Sequence, residues 1–225
     1  MRDENASRLI KIPLICALAA AANLLLMALR DTLQLPLFVD TVFTVAVAFA
    51  LGVVPGIAVA LLTWAADGAL GIGNQPFHPF VLVAIAEVFL ARALRPAEPQ
   101  AALSPQGPVY GARDSAMRDR RTTALLGVFA RLVLVYVACV ISASVLGGVI
   151  DFLHRTVMGA DHTYPTAINV LRMAFSREGI HVLPANVLSR VIANMVDRLF
   201  VVFGGYFASR LIARAVEKRG GQARP

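Results

Sequence analysis

The sequence predicts an all-α membrane protein, a bundle of about six transmembrane helices with both termini inside. Three observations lead there. The 225-residue chain is 58% hydrophobic and 16% charged, and its mean hydropathy is +0.69, which is membrane territory. Six apolar segments can be walked off, and that length holds about six spans of roughly 20 residues with little left for a soluble domain. The Arg and Lys residues gather at the ends of the apolar runs, as topology signals do. The net charge of +7 is therefore read as orientation rather than nucleic-acid binding, and the chain is taken as a single integral membrane domain over residues 1–225.

The first segment, residues 9–29, follows Arg2, Arg8 and Lys11. It exceeds a signal-peptide core and more spans follow, so it reads as an uncleaved helix. The second and third, residues 37–51 and 56–70, are short for full spans. Their flanks, 33–38 and 71–78, are expected to dip into the membrane against protein. A turn built from Gly52, Pro55 and Gly56 reverses the chain between them. That hairpin brings Asp40 and Asp67 back to one side of the bilayer, and ionisable groups at membrane depth are costly and usually functional. Thr44, four residues after Asp40, is assigned to the same site. Trp64 lies about one turn before Asp67; it suits either a flat heterocycle or cation, or an interfacial anchor.

The fourth segment, residues 80–94, carries Glu87 at its middle, a plausible partner for Arg198 or Arg131. Residues 96–121 follow, with Pro96, Pro99, Pro105 and Pro108 and several arginines, and are expected to form a mobile cytoplasmic loop. The fifth segment is 123–150. The external connection 151–184 contains Ile168, Leu171 and Phe175 at helical spacing between Pro165 and Gly179, predicting a short amphipathic helix that is either a lid or an interfacial connector. In the sixth segment, 185–213, Asn186, Arg190, Asn194 and Asp197 share one face over roughly 16 Å of axis. The stripe must face protein or water. It is read either as a pocket wall, with Arg190 for an anionic or carbonyl group and the amides for hydrogen bonds, or as a network joining helices. Asp197 and Arg198, about 100° apart around the helix, are not expected to face one partner.

Cys16 and Cys139 lie in apolar runs and read as packing residues. His78, His154, His162 and His181 match no standard metal spacing, and no metal or cofactor is expected. No P-loop, HExxH helix or GxSxG elbow is present, and Ser142 and Ser144 lack a His at matching depth. No enzymatic activity is expected.

The run Leu37-Phe38-Val39-Asp40, then Gly52, then Pro55-Gly56 resembles the second and third helices of substrate-binding S components of energy-coupling factor (ECF) transporters. Gly52-Val53-Val54-Pro55-Gly56 stands where the family often has a Gly-Pro dipeptide. The sixth segment, opening with Asn186, and the six-helix plan are similar too. The resemblance implies a subunit of an ABC-type importer that captures a vitamin-like small molecule outside a bacterial plasma membrane. It would then dock on a transmembrane T component driven by two ATPase subunits. It also implies docking through small residues of the first helix, here Ala17 and Ala21 beside Cys16 and Ala20, which allow close helix approach in lipid. The candidate binding residues are then Asp40, Thr44, Trp64, Asp67, Asn186, Arg190 and Asn194. The alternative is a membrane sensor or scaffold module that binds a ligand without transport, against which the short tail after Arg210 argues.

Overall fold

A computed structural model describes residues 2–33, 37–72, 79–96, 113–158 and 166–217. Every regular element among them is helical: α1 (Arg2–Thr32), a 3-10 turn (Val39–Thr41), α2 (Val42–Leu51), α3 (Val53–Leu70), α4 (Val81–Ala93), α5 (Arg113–Met158), α6 (Thr166–Arg177), α7 (Val182–Leu199), a π-helical segment (Phe200–Gly204) and α8 (Gly205–Glu217). Four helical stretches are long and apolar enough to cross a membrane: Ile10–Thr32, Val53–Leu70, Thr122–His154 and Val182–Val216. The last passes through α7, the π segment and α8 without a break. Large side chains such as Ile10, Leu18, Phe89, Phe129, Phe207 and Leu211 point outward, as a surface solvated by lipid requires.

α2 is the short helix at the centre. At 10 residues it covers about 15 Å, half a hydrocarbon core, and it is apolar all round, which marks a helix enclosed by others. Val45, Ala46, Val47 and Ala48 are all fully buried. One side of α2 enters a cluster with Val88 and Ala91 of α4, Val135 and Cys139 of α5, and Val201 and Val202. Val47 enters a second cluster with Cys16, Ala19 and Ala20 of α1 and Val59 of α3. Gly205 lets α8 approach closely, since a Cβ there would lie 3.0 Å from the Val42 carbonyl oxygen.

Several expectations are corrected. The reversal between α2 and α3 is made by Gly52 alone, at φ 107°, a conformation that favours glycine. Pro55 and Gly56 already belong to the first turn of α3, where proline costs no helical hydrogen bond. Gly56 serves packing: a Cβ there would sit 3.0 Å from both Ala48 Cβ and Val88 Cγ1. The expected loop 96–121 is helical from Arg113, and the expected external connection 151–184 begins with helix as far as Met158. Hydropathy marks where lipid contact ends, whereas helix continues as long as its backbone bonds do. The amphipathic helix falls at α6, with Ile168 buried and Gly179 beyond it at φ 81°. Residues 34–36, 73–78, 97–112 and 159–165, with Asn74, Gln75, His78 and His162, lie outside the described residues.

Candidate functional site

The polar side chains of α7 turn inward and its apolar ones outward. Asn186, Ser189, Arg190, Asn194, Asp197 and Arg198 are all buried, while Leu188, Ile192, Met195, Val196 and Leu199 are exposed. Burial in a bundle lets costly groups find partners, which lipid cannot offer.

The C-terminal end of this face holds an ion cluster. Arg198 Nε lies 2.7 Å from Glu87 Oε1 of α4, and Arg198 Nη1 lies 2.9 Å from Asp197 Oδ2. Nη1 also donates to Thr41 Oγ1 at 3.1 Å. The Phe38 N–H donates to Asp197 Oδ1 at 2.9 Å. Asp197 thus accepts a backbone hydrogen bond at the entry to α2, where no side chain of the segment itself caps the 3-10 turn. A carboxylate there also suits the positive end of a helix dipole. Glu87 pairs with Arg198, one of its two expected partners; Arg131 is exposed. Asp197 and Arg198 meet different groups, the Phe38 N–H for the carboxylate and Glu87 and Thr41 for the guanidinium, and the long arginine arm also folds back to the carboxylate of its own neighbour. Asp40, half-buried in the 3-10 turn, lies within coulombic reach of Arg198, Arg30 and Asp67.

Nearer the start of α7, the Arg190 guanidinium lies 4.8 Å from the Phe80 ring centre and 5.9 Å from that of Phe38, both favourable for a cation over a π face. A Cβ on Gly147 of α5 would come within 3.1 Å of Arg190 Nη1, so this glycine makes room for the guanidinium. Asn194 Nδ2 donates to Ser144 Oγ at 3.0 Å, joining α7 to α5. Asn186 is fully buried, and neither its side-chain oxygen nor its nitrogen has a hydrogen-bond partner among the described residues.

Asn23 of α1 is a buried polar side chain that the sequence reading missed. Fully buried, it donates to Thr44 Oγ1 at 2.9 Å and Thr63 Oγ1 at 3.3 Å, and accepts from the Phe43 N–H at 3.0 Å. The one signal in the sequence was a lone amide in an Ala- and Leu-rich span. Thr44, expected in the binding site, is placed in this network between α1, α2 and α3. Asn23→Ala should lower stability by about 1–3 kcal/mol through the unpaired Phe43 N–H and threonine hydroxyls, read as a lower melting temperature in detergent; Asn23→Gln should lower it less if the longer amide still reaches Thr44.

Trp64 and Asp67 are half-buried near the end of α3. Ala17 and Ala21 are exposed on the outside of α1, while Cys16 and Ala20 pack inward, so the expected docking stripe is split between an outer and an inner face. Both cysteines are free and buried. Among the described residues no group of three or more His, Cys, Asp or Glu side chains is arranged to hold a metal. A pocket lined by Phe49, Arg95, Tyr206, Ser209 and Arg210 lies between α2, α8 and the end of α4; it shares no residue with the α7 polar face.

Comparison with known proteins finds no matching family model, no matching curated protein and no matching solved structure.

Proposed function

We propose that this chain is the solute-binding S component of an ECF-type importer. It would cross a bacterial plasma membrane six times with both termini inside and capture a small molecule from the outer face. The observation that carries the reading is the α7 face: four polar residues over three turns, all enclosed by the bundle, with an amide at the outer end that nothing among the described residues satisfies. A purely structural stripe would consume its own hydrogen-bonding capacity, as Asn194 and Asn23 do. The Leu37–Asp40 and Gly52–Gly56 patterns support the family assignment, and exposed Ala17 and Ala21 suit a partner helix. Delivery inward would fall to a T component and two ATPase subunits, since the chain carries no P-loop.

The test is co-purification and uptake. The chain should bring down a T component and ATPases from native membranes and retain a small molecule, and cells lacking it should lose uptake of that molecule. Asp40→Asn and Arg190→Ala should each weaken retention while the bundle stays folded; unchanged affinity in both removes them from the site. Ligand retention without any uptake defect would instead favour the sensor or scaffold alternative.

A further inference from the structure

We infer that the cluster of Glu87, Asp197 and Arg198 is a binding site for one proton, carried on the second carboxyl oxygen of Glu87. The inference stands apart from the importer reading and does not depend on it.

The charges of the cluster do not balance without that proton. Glu87 of α4 and Asp197 of α7 are fully buried, and Arg198 is buried between them. An arginine keeps its positive charge in a protein. Two ionised carboxylates around one guanidinium therefore leave one negative charge in the interior, which a low-dielectric medium resists. The surrounding elements do not supply the missing positive charge. Arg30 of α1 lies within coulombic reach of Asp197, but it is paired with Asp31 at 2.6 Å and brings its own counter-charge. Asp40 of the 3-10 turn acts on Glu87 with further negative charge, and Asp67 of α3 acts on Asp40 in the same sense. Cys139 of α5 faces Glu87 as a thiol, and α2 carries no titratable side chain. Like charges crowded into one site do not stay ionised together when one of them can take a proton.

The geometry selects the oxygen. Asp197 is engaged at both of its oxygens: Oδ1 accepts the Phe38 N–H at 2.9 Å, and Oδ2 lies 2.9 Å from Arg198 Nη1. Glu87 Oε1 lies 2.7 Å from Arg198 Nε. Glu87 Oε2 is buried and makes no hydrogen bond. The Thr41 hydroxyl is near enough to act on the Glu87 charge, and its oxygen already accepts from Arg198 Nη1. A proton arriving from solvent forms an O–H bond at Oε2, no other bond breaks, and the three side chains become neutral together. A metal ion would need several donors, and among the described residues no three His, Cys, Asp or Glu side chains are arranged for one. A proton needs a single oxygen. The site also touches the entry to α2, because the same Asp197 holds the Phe38 N–H.

The experiment uses the full chain in one mild detergent. At neutral pH its infrared spectrum should contain the carbonyl band of a protonated carboxyl. That band should shift when the chain is made with carbon-13 glutamate and vanish in Glu87→Gln. Thermal melts across pH give a second reading. The folded chain holds a proton that a glutamate in the unfolded chain releases above about pH 4, so the stability this site confers is greatest in acid and falls as pH rises. Relative to Glu87→Gln, the wild type should lose about 3–5 °C of melting temperature per pH unit. The loss should level off once the folded chain has also released the proton. Absence of the band at neutral pH overturns the inference, and this reading needs no variant, so it decides even if Glu87→Gln fails to fold. Parallel pH profiles for the two chains also overturn it. So does a melting difference that follows sodium or potassium concentration at fixed pH, which would make the bound cation a metal ion.

Discussion

Arg198→Ala should be the most damaging single substitution in the bundle, lowering stability by about 3–5 kcal/mol. The loss comes from what remains rather than from what is removed. Glu87 and Asp197 are both fully buried, and Arg198 is the cation that meets each of them. Without it, two carboxylates are left in a low-dielectric interior, and Thr41 loses its hydrogen-bond donor. Arg198→Lys keeps the charge but not the fork that reaches Glu87, Asp197 and Thr41 together, so it should fall between wild type and Ala. The double variant Glu87→Gln with Arg198→Met removes a matched pair and should recover part of the loss, since replacing both partners costs less than orphaning one. Thermal melts in a single detergent would order the four proteins. An Arg198→Ala chain that melts with wild type would show that the cluster does not hold the bundle.

Gly148→Ala is the second large effect. A Cβ at Gly148 would fall 2.6 Å from Val187 Cγ2, 2.9 Å from Val187 Cα and 3.1 Å from Val187 N. Two of those atoms are backbone and cannot swing aside, so α5 and α7 must part. Overpacking of this kind costs about 1–3 kcal/mol. Separating the helices would also stretch the Asn194–Ser144 hydrogen bond one turn away. Gly127 is the matched control: it lies on the same helix, and a methyl group added there would meet nothing within 4 Å. Gly127→Ala should be neutral or stabilising by up to about 1 kcal/mol from helix propensity. Equal melting temperatures for the two alanine variants would contradict the close approach of α5 and α7.

The long spans were legible because lipid demands an unbroken apolar run, a signal carried in composition. Glu87 with Arg198 was legible because opposite charges within apolar segments must find each other. The inward stripe of α7 followed from helical periodicity. What escaped lay where geometry outweighs pattern. The segment of three glycine- and proline-type signals at 52–56 contains one turn residue and two packing or helix-start residues, and only the backbone angle distinguishes them. The divergence of Asp197 and Arg198 around the helix pointed to separate partners, but it gave no hint of their contact with each other, which depends on the reach of an arginine. Asn23 escaped because one amide in a 31-residue helix has no periodicity. The orphaned state of Asn186 could not be read at all, since it depends on what every neighbouring helix fails to provide.

The hydrogen bond from the Phe38 N–H to Asp197 joins residues 159 apart in the chain, and this separation bears on how the protein is made. A ribosome delivers α2 early, yet a 10-residue helix is too short to settle across a bilayer unaided; Asn23 of α1 is already there to meet its first turn, but the carboxylate that holds Phe38 belongs to the last long span. The entry to α2 therefore has its full set of hydrogen bonds only once α7 has been made. The enclosure of the central helix is completed by the C-terminal part of the chain, whose α7 and following segment close over it.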